Sequence, residues 1–208
     1  MENVHNIFPH RFPSIDKKKT ALLIIDVQNG TFNEKEENKR PEFYRQASEK
    51  TIPNIHRLLH VCRKVGMEVI YTVIESLTLD GRDRSLDYKL SDFHFPKGCW
   101  ESQVIPSLSP GADEIILPKT SSSLFNSTIF DYVLKNIGIQ QVIVTGFLTD
   151  QCVDHTIRDG ADRGYLMICA ADGCATESRE RHEHALAAFG GYCRVAMVEE
   201  LISEIGVR

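Results

Sequence analysis

The sequence predicts an α/β protein, a three-layer α/β/α sandwich around a six-stranded, mostly parallel sheet. Three observations point to it. Short aliphatic and β-branched runs recur along the 208 residues, separated by segments with helical apolar spacing or helix-stopping glycines. The runs are continuously apolar rather than alternating, as strands covered on both faces are. Residues 141–160 then read as strand, sharp turn and helix in immediate succession, and such alternation builds a parallel sheet with helices on both sides.

Taken in order, residues 1–19 are polar, with Pro9 and Pro13, and read as an extended arm suited to packing on a neighbouring subunit. A single domain follows over 20–208. Its first strand, Thr20-Ala-Leu-Leu-Ile-Ile-Asp26, ends in one carboxylate. Residues 27–46 are polar and irregular. In 52–64, Ile52, Ile55, Leu58, Leu59 and Cys62 recur at helical spacing; Thr51 is the candidate N-cap, Pro53 lies in the first turn and Gly66 ends the helix. Residues 68–74 form the second strand. The charged stretch 75–110, with Arg82, Arg84, Lys89 and Trp100, is long enough to be a lid or binding loop, or to carry short helices. A third strand over 113–117 leads into Pro118-Lys119, and a helix over 128–137 closes at Gly138. The fourth strand, 142–145, meets Gly146, after which Thr149 or Asp150 is placed to cap a helix from Gln151. A fifth strand over 166–169, a Ser178-capped helix to Phe189, a sixth strand over 193–198 and a helix over 199–205 complete the chain.

Composition narrows the function. A hydrophobic fraction of 42% suits one globular domain, and a net charge of −5 without a basic stripe argues against nucleic acid. No apolar run approaches membrane-spanning length, and the polar start excludes a signal peptide. Six cysteines without a C-x-x-C pair read as reduced thiols of a cytoplasmic protein.

In parallel sheets the ligand crevice lies beyond the C-terminal ends of the strands. That rule gathers Asp26, the 75–110 loop, Lys119 and Cys152 at one edge. Cys152 stands in the first turn of a helix, where unpaired N–H groups and the dipole are expected to lower a thiol's pKa. A thiol attacking a carboxamide needs a base that later protonates the departing amine. Asp26 fits that task, with Lys119 holding it ionised. The backbone N–H groups of Leu148 and Cys152 are suitable oxyanion donors.

These segments resemble the isochorismatase-like cysteine hydrolases. The resemblance rests on Leu23-Ile-Ile-Asp-Val-Gln-Asn-Gly-Thr-Phe32, Leu117-Pro-Lys-Thr-Ser-Ser-Ser-Leu-Phe125 and Val144-Thr-Gly-Phe-Leu-Thr-Asp-Gln-Cys-Val153, in the family's order. It implies Asp26, Lys119 and Cys152 as a catalytic triad and a non-proline cis peptide at Phe147–Leu148. It also implies Phe32 and Phe125 as candidate pocket walls and assembly into a homo-oligomer. Where nicotinamidases carry an Asp-x-His metal cluster, this chain has Ile74 and Ser76, which disfavours a metal or a pyridine substrate; no cofactor is expected. Cys152 argues against vinyl-ether hydrolysis of the isochorismatase type. The metal-independent amidase and ureidase branch remains, with Arg82, Arg84 or Lys89 as candidate anchors for a small substrate's carboxylate. Against these stand plainer readings: a solvated loop face for the three cations, core anchors for the two phenylalanines, and a helix-surface His155 in place of a Cys–His pair. A small-molecule-binding or interaction protein on the same scaffold is the competing function, and a redox-active thiol protein ranks behind it.

Overall fold

The structure, a computed structural model, describes residues 14–206. Six strands form one sheet: β1 (Thr20–Ile25), β2 (Glu68–Ile74), β3 (Ile115–Lys119), β4 (Gln141–Phe147), β5 (Leu166–Ala175) and β6 (Cys193–Ala196). Their spatial order is β3-β2-β1-β4-β5-β6 and every pairing is parallel. The chain therefore winds outward in two directions from the β1–β4 boundary, the switch point at which doubly wound sheets open a crevice.

Helices cover both faces. They are α1 (Glu34–Lys39), α2 (Pro41–Gln46), α3 (Ile52–Lys64), α4 (Leu86–Leu90), α5 (Leu124–Ser127), α6 (Phe130–Asn136), α7 (Asp154–Asp162), α8 (Arg179–Phe189) and α9 (Val198–Gly206). β1 shows why its run is uninterrupted. Leu22 and Ile24 pack with α3 and α9 residues such as Leu58 and Leu201, whereas Ala21, Leu23 and Ile25 pack with Phe130, Ile157 and Phe189 on the other face. Successive side chains of a strand point to opposite sides, so a strand between two helical layers has no polar face.

Several boundaries differ from the sequence reading, each for a physical reason. Thr51 does not cap α3: it has helical dihedrals and lies in a π-helical turn, Ala47–Thr51, that joins α2 to α3. Residues 27–46 are not irregular throughout. The stretch 34–39 has no apolar periodicity to read, yet Asn33 caps it by accepting from the Lys35 N–H, and Glu36 pairs with Arg40 at 2.5 Å. Neither Thr149 nor Asp150 caps the helix after β4. Thr149 instead bonds His182 at 2.8 Å, and Asp150 accepts from Thr176 and Arg181. Pro118 lies inside β3, which an edge strand tolerates. β6 ends at Ala196, and α9 begins earlier than expected, at Val198. Ser178 does cap α8, accepting from the Arg181 N–H. Of the expected arm, residues 1–13 lie outside the described residues. Its final part bonds its own chain, Ile15 N–H donating to Glu204 and Asp16 N–H to Gln141. No helix among the described residues is long and apolar enough to cross a membrane.

Gly146 fixes the switch point. Its φ of +112° is open to glycine, and a Cβ there would stand 2.1 Å from the Ile25 carbonyl oxygen of β1. Gly146→Ala is therefore expected to destabilise the fold by more than about 2 kcal/mol, since β1 and β4 must separate and the dihedral is unfavourable. Urea unfolding with an unchanged slope would measure it; a loss below 0.5 kcal/mol, roughly what an indifferent surface position gives, would contradict the account.

Candidate active site

The three side chains from distant parts of the chain meet at the C-terminal rim of the sheet. Asp26 follows β1 directly, with φ of +56°, a left-handed conformation that aspartate tolerates better than most residues. Thr31 holds that turn by donating to the Asp26 carbonyl oxygen at 2.6 Å. Thr72 of β2 donates from its hydroxyl to Asp26 Oδ1 at 2.8 Å. Lys119, the last residue of β3, reaches over β2 and places Nζ 2.8 Å from Asp26 Oδ2. That contact is an ion pair with poor hydrogen-bond alignment, and Oδ2 has no hydrogen-bond donor among the described residues. Thr72 thus anchors one carboxylate oxygen, and the other faces the Lys119 ammonium.

Lys119 also donates to the Cys152 sulfur at 3.3 Å, to the Ser121 carbonyl at 3.0 Å and to the Tyr88 hydroxyl at 3.0 Å. It is fully buried. Burial pulls an ammonium down, but the neighbouring Asp26 prevails and holds Lys119 well above the ordinary lysine value. Cys152 sits in the π-helical turn Thr149–Val153 that opens α7, only 6% exposed. Here the structure reverses an expectation. Burial, which exceeds the lowering by Lys119 and is reinforced by Asp26, pushes the thiol up to about 11. The helix start and lysine do not outweigh desolvation, so burial keeps the resting sulfur as a thiol.

The peptide bond between Phe147 and Leu148 is cis. It carries the chain from the end of β4 into the Cys152 turn, so the Leu148 and Cys152 N–H groups both belong to this corner. Outside the triad, Gln28 clamps the rim: its side-chain amide bonds both backbone groups of Ile74 and the Glu101 carbonyl. An open cleft of about 500 Å³ adjoins the site, bordered by Ser85, Asp87, Ser121, Ser123, Gln151 and His155. His155 is on the helix surface, bonded to the Gln151 carbonyl.

The other candidates are placed differently. Arg84 donates to the Gly81 and Phe93 carbonyls, Arg82 pairs with Asp80, and Lys89 is exposed; none bonds Asp26, Lys119 or Cys152. Phe125 packs with Phe130 and Tyr165 in the core on the α7 side. Phe32 stacks on Tyr44 and stands 6.3 Å from the ring of Phe147, the first residue of the cis bond. Trp100 is 56% exposed. Ile74 and Ser76 are both buried, and among the described residues no group of three or more histidines, cysteines or carboxylates is disposed to hold a metal. The sequence reading passed over Tyr88, whose one signal was to be an aromatic residue within the charged 75–110 stretch.

Comparison with known proteins identifies relatives of the chain and of its fold. Over 176 residues, 74% of this chain and 69% of the relative, the chain is 28% identical to ureidoacrylate amidohydrolase RutB of Serratia proteamaculans. The structure resembles a cysteine hydrolase from Pseudomonas syringae pv. phaseolicola, with a TM-score of 0.83 and 26% identity over 94% of this chain and 96% of that one. It also resembles N-carbamoylsarcosine amidase from Thermoplasma acidophilum, with a TM-score of 0.70 and 26% identity over 87% and 97% of the two chains. Residues 20–200 match the Isochorismatase domain, so the doubly wound sheet and its rim site belong to a member of the isochorismatase-like hydrolase family.

Proposed function

We propose that this protein is a cysteine-dependent amidohydrolase that cleaves the C–N bond of a small amide or ureido compound through a thioester on Cys152. The contact among a carboxylate, an ammonium and a thiol carries the proposal, with Lys119 Nζ 2.8 Å from Asp26 and 3.3 Å from the sulfur. Asp26 takes the thiol proton as sulfur adds to the carbonyl carbon, and then gives it to the departing nitrogen. Lys119 offsets the negative charge of whichever partner is ionised. The Leu148 and Cys152 N–H groups receive the oxyanion. Water then attacks the thioester with Asp26 again as base, and the acid product leaves.

The names of the two relatives, a ureidoacrylate amidohydrolase and an N-carbamoylsarcosine amidase, favour a ureido or carbamoyl substrate. The cleft lined by Ser121 and Gln151, next in sequence to Cys152, offers such a molecule polar partners.

A panel of ureido acids and simple amides, assayed for ammonia release, tests the reading. With the substrate that turns over fastest, an acid quench in the steady state should leave an acyl adduct on the peptide containing Cys152, found by mass spectrometry. An adduct on any other residue, or no release of ammonia from the whole panel, would remove the proposal.

A further inference from the structure

We infer that Tyr88 is a catalytic hydrogen-bond donor to the Cys152 sulfur, acting when that sulfur carries negative charge; this rests on the reading of Cys152 as the nucleophile. The phenolic oxygen lies 3.8 Å from Sγ and 3.0 Å from Lys119 Nζ. An ammonium has protons to give and no lone pair, so the Lys119 contact occupies an acceptor site of the phenol. The phenol's own proton is left for the sulfur. Burial drives the Tyr88 hydroxyl well above the ordinary tyrosine value, despite the nearby Lys119 charge, so it keeps its proton and faces the sulfur as a donor.

The 75–110 segment is built to hold that hydroxyl in place. Ser85 caps α4 by accepting from the Tyr88 N–H at 3.2 Å, and its own N–H donates to the carbonyl of Thr120, the neighbour of Lys119, at 2.9 Å. The Tyr88 carbonyl accepts from Phe93 N–H at 2.8 Å, and the two rings meet edge-to-face at 5.4 Å. Arg84 ties both ends of this turn together through the Gly81 and Phe93 carbonyls. The charged loop thus places a phenol at the sulfur, with its arginine serving the loop backbone.

The step most dependent on this donor is breakdown of the thioester. Water oxygen bonds to the acyl carbon while one water proton passes to Asp26. The tetrahedral intermediate re-forms its C=O bond by breaking the C–S bond, and that electron pair moves onto sulfur. Tyr88 and Lys119 stabilise the thiolate until Asp26 returns the proton. The acid is released and the thiol restored.

Tyr88→Phe keeps the ring contacts and removes only the hydroxyl. p-Nitrophenyl acetate is a suitable probe: it acylates sulfur in a burst and reports deacylation as steady p-nitrophenolate release, with Cys152→Ala as the background. The variant should deacylate at least about tenfold more slowly, as a lost hydrogen bond to a charged group predicts. Its Cys152 should also react with iodoacetamide about tenfold more slowly at pH 8, because the thiolate has lost a donor. Both rates within twofold of wild type would overturn the inference. Slow deacylation with unchanged alkylation would also overturn it, leaving Tyr88 a loop-packing residue. A burst that survives in Cys152→Ala would instead sink the nucleophile reading, and this inference with it.

Discussion

Cys152→Ala should lower amide turnover by at least about 10⁴-fold while leaving the fold intact, because no other group in contact with Asp26 and Lys119 can form the covalent intermediate. The side chain is small and faces the rim, so its loss removes one sulfur from a site dominated by the Asp26–Lys119 pair. Circular dichroism and a melting curve separate misfolding from lost chemistry. Turnover within tenfold of wild type in a folded variant would exclude Cys152 from the reaction.

Asp26→Asn should produce opposite changes in two measurements. Turnover should fall by about 10³-fold, within the range expected when a general acid–base is removed. Thiol reactivity should rise. In the wild-type protein burial raises the Cys152 thiol most and Asp26 raises it further, while Lys119 lowers it. Removing the carboxylate takes away a raising contribution and leaves a buried ammonium whose nearest anion is the sulfur. The thiol pKa therefore drops from about 11, and below that value each unit of decrease increases the thiolate fraction about tenfold. Iodoacetamide labelling of Cys152 at pH 8 should accelerate in the variant even as catalysis collapses. Labelling that slows or stays constant would mean that Lys119 has given up its proton in place of pairing with sulfur, and that Asp26 does not set the sulfur's ionisation.

The sign of that pKa shift was invisible in the sequence. A cysteine at a helix start beside a lysine suggests an acidic thiol. What overrides it is the burial of Cys152, reinforced by Asp26 from the turn after β1. Tyr88 escaped notice for a related reason. A 36-residue connection carries too little periodicity to show which of its side chains turns inward, and only the bonds from Ser85, Phe93 and Arg84 settle it. The cations in the same loop misled in the other direction, since charge in a sequence does not reveal whether a guanidinium faces a ligand or a backbone carbonyl.

The sequence by itself determined the sheet, because a strand buried on both faces must be apolar at every position, and runs such as 20–25 and 142–145 allow little else. It also determined that Asp26, Lys119 and Cys152 share a rim, since parallel strands end on the same side and each residue follows or closes such a run. Tertiary structure alone decided the strand order, and with it the Lys119 reach across β2 to Asp26 and the phenol at the sulfur. Local pattern reports how often a side chain is buried. Which groups share that buried space, and therefore whose charge prevails, depends on contacts between residues up to 126 positions apart, from Asp26 to Cys152.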